Sequence, residues 1–282
     1  MKGRTSLLLI MLLSIIMVLV GCGTDGSNEE GEALDTDESE TFVVGLECAY
    51  APFNWTQNDD SNGGVRIEGD SEYAGGYDVE IAKRIAEGLG KELVIVKIEW
   101  DGLVPALTSG KIDAIIAGMS PTAERKETID FSDIYYKSDL VMVVKKGGEY
   151  ENATSIQDFS GAKITAQLNT FHYTVIDQIE GVDKQTAMDN FSAMRVALES
   201  GVIDGYISER PEGVSAESAN ENFKMVEFTD GFETSDEDTA IAVGLRKGSE
   251  LTERINKILA GISEEERMEI MDNAIKNQPA AE

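Results

Sequence analysis

Apolar positions along the chain alternate between two periods. Val94, Val96 and Ile98 share one face of Glu92–Ile98, the spacing of a half-buried strand. Val79, Ile81, Ala82, Ile85, Ala86 and Leu89 recur at helical spacing over Tyr77–Leu89. Phe42–Leu46 predicts a first strand, Leu103–Ser109 a short helix, and the apolar run Ala114–Ala117 a buried strand. Strand and helix in alternation predict a parallel sheet covered by helices. Leu140–Lys146 predicts a further strand, leading out of this first group. A second series follows: strand Lys163–Leu168, helices Thr170–Ile179 and Asn190–Glu199, and strands Ile203–Ser208 and Phe223–Phe228. Thr239–Leu245 predicts a strand returning to the first group, before two amphipathic helices, Leu251–Ile262 and Glu264–Lys276. Asn58–Gly76, with Gly63-Gly64 and Gly75-Gly76, predicts a surface hairpin to which no function is assigned. No repeat of domain-building period is present.

The densest signal is Ile112–Asp133. Its apolar strand runs into Gly118-Met119-Ser120-Pro121-Thr122 and then a helix start. Ser120 serves as N-cap with Pro121 at the first helical position, or Thr122 caps instead. Either way, free backbone N–H groups at a strand's carboxyl end favour an anion. Arg125 falls in the first helical turn, where the helix dipole disfavours a cation. A solvated arginine is the simple explanation. A forked guanidinium beside free amides is also a carboxylate clamp.

At the start of the chain, Lys2 and Arg4 precede the apolar Leu7–Val20 and the box Leu19-Val20-Gly21-Cys22. The apolar core is shorter than the roughly 20 residues of a membrane span. It predicts a lipoprotein signal peptide cleaved before Cys22, with the thiol acylated. The acidic, Gly/Ser-containing stretch that follows cannot bury enough surface to fold and predicts a tether. About 240 residues remain, a normal size for two lobes. The net charge of −29 becomes more negative once Lys2 and Arg4 leave with the signal. Such a field repels nucleic acid. With Cys22 on lipid, Cys48 has no intramolecular disulfide partner, and it reads as a small, partly buried residue.

Four segments together carry a resemblance: Gly45-Leu-Glu-Cys-Ala-Tyr-Ala-Pro-Phe53, Gly76-Tyr-Asp-Val-Glu-Ile-Ala82, Ile112–Asp133, and Val202-Ile-Asp-Gly-Tyr-Ile-Ser-Glu-Arg-Pro211. In this order they resemble the family 3 solute-binding proteins, the amino-acid receptors of ABC importers, from about Thr41 to Ile275. The resemblance implies an α/β, two-lobe, type II periplasmic-binding-protein-like fold with mixed sheets and two crossover strands. The corresponding division is signal peptide 1–21, lipid-anchored tether 22–40, lobe 1 from 41–140 plus 241–282, and lobe 2 from 141–240. It also implies an extracytoplasmic monomer, held on the membrane by Cys22. Its partners would be a free amino acid and an ABC permease with its ATPase, with no nucleic acid and no cofactor or metal.

Carried onto matching positions, Arg125 and the Ser120 amide would hold the ligand's α-carboxylate. The Gly118 carbonyl and the Ser120 hydroxyl would meet its α-ammonium, with Met119 between them. Glu209 stands where the family usually has an aspartate for that ammonium. Asn169, Thr170 and Phe171 stand where the family more often has Gly-Thr-Thr, offering amides from lobe 2. Glu47 would face the cleft, and Tyr50 and Trp100 would sandwich the side chain. Arg125 and Glu209 then neutralise the backbone charges of the ligand, and Glu47 is left over. An unpaired buried carboxylate costs roughly several kcal/mol. A cationic side chain removes that cost and gains roughly 0.5–2 kcal/mol of cation–π attraction. The expectation is therefore arginine, lysine or a related basic amino acid, with glutamine as the alternative.

Other classes fit less well. An enzyme such as a dehydratase shares this fold, but His172 is the only histidine, so a multi-histidine metal site is excluded. The segment Gly118-Met119-Ser120-Pro121-Thr122 lacks the closing glycine of a nucleophile elbow, and no P-loop or CxxC pair occurs. His172 is expected on a helix face or cleft rim. A ligand-binding sensor subunit is the remaining alternative.

Overall fold

The computed structural model describes residues 40–279. The expected signal peptide, Cys22 and all of the tether but Glu40 lie outside the described residues.

The first lobe begins with β1 (Thr41–Leu46), β2 (Ala49–Tyr50), β3 (Asn54–Gln57), β4 (Val65–Arg66) and β5 (Tyr73–Gly75). It continues through α1 (Tyr77–Leu89), β6 (Glu92–Lys97), α2 (Leu103–Thr108), β7 (Ala114–Ile115), α3 (Ala123–Thr128) and β8 (Asp130–Lys137). The second lobe holds β9 (Leu140–Lys145), β10 (Lys163–Thr165), α4 (Phe171–Val175), β11 (Asp183–Lys184) and α5 (Phe191–Ser200). It ends with β12 (Gly205–Glu209), α6 (Arg210–Ala219) and β13 (Phe223–Val226). The chain returns through β14 (Ala240–Leu245) to α7 (Leu251–Ala260) and α8 (Glu264–Asn277).

Each lobe is built on a mixed five-stranded sheet, ordered β6-β1-β7-β14-β8 in the first and β11-β10-β12-β9-β13 in the second. β6, β1 and β7 run parallel, while β14 enters antiparallel between β7 and β8. In the second lobe β9 lies antiparallel to both β12 and β13. The alternation of strand and helix accounts for the parallel strands, and the sheets are mixed, as the resemblance implies. A chain that leaves a lobe and returns brings its last strand in from the opposite end. The two crossovers run side by side, with the Ser138 amide donating to the Thr239 carbonyl at 3.0 Å.

Local rules place the best-matched elements. α1 runs over Tyr77–Leu89 and stops at Gly90, whose φ of 71° closes the helix by donating to the Ala86 and Glu87 carbonyls. α5 starts where the Asn190 side chain accepts from the Ala193 amide, and stops at left-handed Gly201. Between Ser120 and Thr122, the cap is Thr122, which accepts from the Arg125 amide. The strand expected over Ala114–Ala117 ends at Ile115; Ile116 and Ala117 stay buried in the first lobe's core. The glycine-rich Asn58–Gly76 stretch holds β4 and β5 of an antiparallel four-stranded side sheet, ordered β2-β3-β5-β4.

One buried charge pair lies behind the second lobe. Arg195 of α5 donates from Nε and Nη2 to Oε1 of the fully buried Glu212 of α6, at 3.0 and 2.8 Å. Tyr206 donates to the same oxygen at 2.9 Å. Removing one partner strands a buried charge, whereas removing both leaves an apolar seam. Arg195→Leu is therefore expected to cost about 3–5 kcal/mol. The paired Arg195→Leu, Glu212→Leu variant should lose far less. Urea unfolding of the two variants checks this, and equal losses would refute the buried-pair account.

Candidate ligand-binding site

The carboxyl ends of the two sheets face each other, and the polar side chains meet there. Gly118 sets the geometry. Its φ is +61°, and a Cβ there would lie 2.6 Å from Tyr50 Cε1, so the ring packs flat on bare backbone. The fully buried Asp78 holds this turn by accepting from the Gly118 amide. It accepts also from Asn54 Nδ2 at 2.9 Å and Tyr135 Oη at 2.7 Å. Burial still pushes its carboxyl up to about 7, against the effect of those donors.

Tyr50, Trp100, Gly118, Ser120, Arg125, Thr170 and Phe171, all expected from sequence, line one small cavity. Three residues not singled out as site residues complete its wall: Gln167, His172 and Phe191. The positions open to a water centre amount to about 10 Å³, room for roughly one water. Outside it lies a mouth of about 770 Å³, lined among others by Trp100, Met119, Arg125, Asn169 and Phe171. Glu47 and Glu209 stand one layer behind the inner wall, reached through Gln167 and through Tyr50 and His172.

Arg125 spans the cleft. Its Nη1 donates to the Ser120 carbonyl at 3.0 Å and its Nη2 to the Asn169 carbonyl of the other lobe at 3.1 Å. The guanidinium carbon lies 5.1 Å from the Trp100 ring centroid. Trp100 therefore backs the arginine. Burial pulls the guanidinium down to about 10, and Glu124 and Glu209 act against that, so it stays charged at neutral pH. Two neutral carbonyls are weaker partners for it than a bidentate carboxylate.

The other residues fall as follows. The Ser120 hydroxyl donates to the Asp238 carbonyl at 2.8 Å, beside the second crossover. The Met119 carbonyl accepts from the Ala242 amide at 3.1 Å. Asn169, at φ 55°, donates from Nδ2 to Asp101 at 2.9 Å across the cleft. Thr170 turns its hydroxyl to the Gln167 carbonyl at 2.7 Å. Tyr50 stacks on Phe191 with ring centroids 4.3 Å apart, and its hydroxyl donates to Glu209. Phe191 is thus the ring packed directly on Tyr50. Cys48 is buried, and burial pushes its thiol up to about 12, which suits an inert side chain.

Glu209 is 2% exposed. Burial pushes its carboxyl up, but His172 and Tyr50 outweigh that and hold it below the ordinary value. His172 is buried in the cleft rather than placed on a rim, with Nε2 3.0 Å from Glu209 Oε1. The contact has ion-pair distance without hydrogen-bond alignment. Glu47 has the poorest support. Gln167 Nε2 approaches its oxygens at 3.1 and 3.4 Å. Burial pushes its carboxyl from 4.5 up to about 8, with Glu99 and Asp78 reinforcing and Gln167 opposing.

The pH consequence has a definite sign. A carboxyl whose value is raised in the closed cleft favours closure while it is protonated. That contribution is present below 4.5 and lost as pH rises through about 8. Without added amino acid, X-ray scattering should show the radius of gyration growing between about pH 5 and pH 8 as the lobes part. Glu47→Gln should flatten that growth. An unchanged pH profile in the variant would rule Glu47 out as its source.

Known proteins frame this geometry. The arginine-binding extracellular protein ArtP of Bacillus subtilis (strain 168) is 30% identical over 164 residues, 58% of this chain and 56% of its own length. The L-cystine-binding protein TcyJ of Escherichia coli (strain K12) is 31% identical over 185 residues, 65% of this chain and 64% of its own. The aligned part therefore spans less than two-thirds of either relative. A crystal structure of the amino acid ABC transporter substrate-binding protein AbpA from Streptococcus pneumoniae Canada MDR_19A, bound to L-arginine, superposes with a TM-score of 0.71. It is 27% identical, with 84% of this chain and 95% of that one covered. The family model for bacterial extracellular solute-binding proteins, family 3, matches residues 42–275, and the chain belongs to that family.

Proposed function

We propose that this protein is an extracytoplasmic receptor that captures a free amino acid between its lobes and hands it to an ABC permease. The observation that carries the substrate class is Glu47. It is a carboxyl 4% exposed, pushed to about 8, with one amide for company. A cationic side chain reaching Gln167 and Glu47 would let that carboxylate ionise inside the closed cleft. Arg125 would exchange its two carbonyls for the α-carboxylate, and Glu209 would take the α-ammonium. Tyr50 and Phe191 supply the aromatic wall. The ligand is a basic amino acid, arginine or lysine. The arginine named for ArtP and for the AbpA complex accords with this.

Glutamine is the second reading, and it follows from the same residue. A protonated Glu47 donates to a side-chain carbonyl and needs no cation. Calorimetry against arginine, lysine, histidine, glutamine and glutamate separates the two, with arginine or lysine expected tightest. Tightest binding of glutamate would overturn the pocket. Arg125→Ala is expected to weaken the best ligand by about 2–5 kcal/mol. Arg125→Lys should recover only part of it, because an ammonium lacks the fork.

Anchoring at the outer face of the cell membrane, through acylated Cys22, belongs to the same proposal. It rests on the Leu19-Val20-Gly21-Cys22 box. Cys22→Ala is expected to release the protein into the medium. Retention of that variant with the membrane fraction would remove the lipid from the account.

A further inference from the structure

His172 is the chain's single histidine, and neither the carboxylate clamp nor the side-chain pocket uses it. Its ring is 6% exposed and sits on the wall of the inner cavity. Nε2 stands 3.0 Å from Glu209 Oε1, yet neither ring nitrogen has an aligned hydrogen-bond partner. The groups around the pair come from several elements. Glu209 is on β12, and Tyr50 of β2 occupies its other oxygen. Arg125 of α3, Asp78 of α1, Tyr136 of β8 and Glu212 of α6 act on Glu209 or Tyr50 through their charges. On its own helix His172 has the Phe171 ring, with centroids 4.2 Å apart.

An α-ammonium arriving at Glu209 therefore meets an imidazole at the same oxygen. A protonated ring and an ammonium are like charges competing for one carboxylate. A neutral ring offers the ammonium a second acceptor in its unprotonated nitrogen. We propose that His172 governs affinity at the ammonium end of the site, sharing the ligand's ammonium with Glu209 when neutral and excluding it when protonated. The inference rests on the receptor reading, and in particular on Glu209 receiving the ammonium. No bond is made or broken beyond one proton leaving the ring when ligand binds. Histidine is the side chain whose charge ordinarily changes between about pH 5 and 8. One linked proton weakens binding by about tenfold per pH unit on the acid side of that change.

The test uses tag-free full-length protein. Arginine and glutamine affinities are measured by calorimetry from about pH 5 to pH 8, for the parent and for His172→Asn and His172→Gln. Glutamine is included because Glu47 also titrates against a cationic side chain. With both ligands the parent should lose at least about tenfold more affinity toward acid than either variant. Because the chain has one histidine, its imidazole proton resonances report directly on the unmutated protein. Their titration midpoint should move to lower pH on saturation with ligand. Parallel affinity profiles in parent and variants, or a midpoint unmoved by bound ligand, would overturn the role of His172 and leave the receptor reading standing. Failure of the parent to bind any amino acid at pH 8 would overturn both.

Discussion

Carboxyl groups enclosed in and beside the cleft are the constraint under which this cleft is built. Asp78, Glu47 and Glu209 are each less than 5% exposed. The three carboxylates are compensated unequally. Asp78 accepts from two side chains and a backbone amide, and it serves to hold the Gly118 turn. Glu209 has a phenol on one oxygen and an imidazole near the other. Glu47 has a single primary amide. Arg125, whose charge acts on Glu209, spends its donors on carbonyls instead. Charge that the protein does not neutralise from within favours a ligand that brings the missing cation. The ranking of support, Asp78 over Glu209 over Glu47, matches the proposed order from structural to ligand-directed.

Most of the fold was legible because it is written in periodicity and caps. Tyr77–Leu89 stands out by its apolar stripe, and both ends came out as expected. The elements that were missed lack such marks. β8 is an edge strand bearing Ser132, Asp133 and Lys137, and Ile134 in its middle is exposed. Its identity comes from pairing with β14, which the local sequence does not contain. α6 opens with Pro211 in its first turn and buries small and polar residues, Gly213, Ser215 and Glu212, in place of an apolar stripe. Gly213 is there because a Cβ would press within 2.7 Å of Met225. Small-residue packing leaves no hydrophobic period to find.

The site divides along the same line. Arg125, Ser120 and Gly118 share one short segment, whose cap and turn chemistry point at an anion, so local reasoning reaches them. Their counterparts do not lie nearby in the chain. Gln167 meets Glu47 across 120 residues, and Glu209 meets Tyr50 across 159. Phe191 looks like an ordinary helix residue until α5 swings it onto Tyr50. A lone histidine next to a phenylalanine carries no spacing to interpret. A trace was present in Gln167, an amide between Ala166 and Leu168 just past the carboxyl end of β10.

Closure itself sets two effects of similar size against each other. The Tyr50–Phe191 stack is worth about 0.5–1.5 kcal/mol beyond the area it buries. Cross-lobe hydrogen bonds from Arg125, Asn169 and Gln167 add about 0.5–1.5 kcal/mol each. Opposing them, each incompletely paired ion taken from water costs roughly several kcal/mol. Neither side dominates, so the lobes are poised, and a ligand shifts them only by what it offers the closed form and not the open one. In the proposed binding mode, an amino acid would offer its charges to Arg125, Glu209 and Glu47 together only when both lobes surround it. On that proposal the same unpaired groups that weaken closure on their own would supply its selectivity, since a molecule lacking any one of the matching charges leaves part of that cost unrelieved.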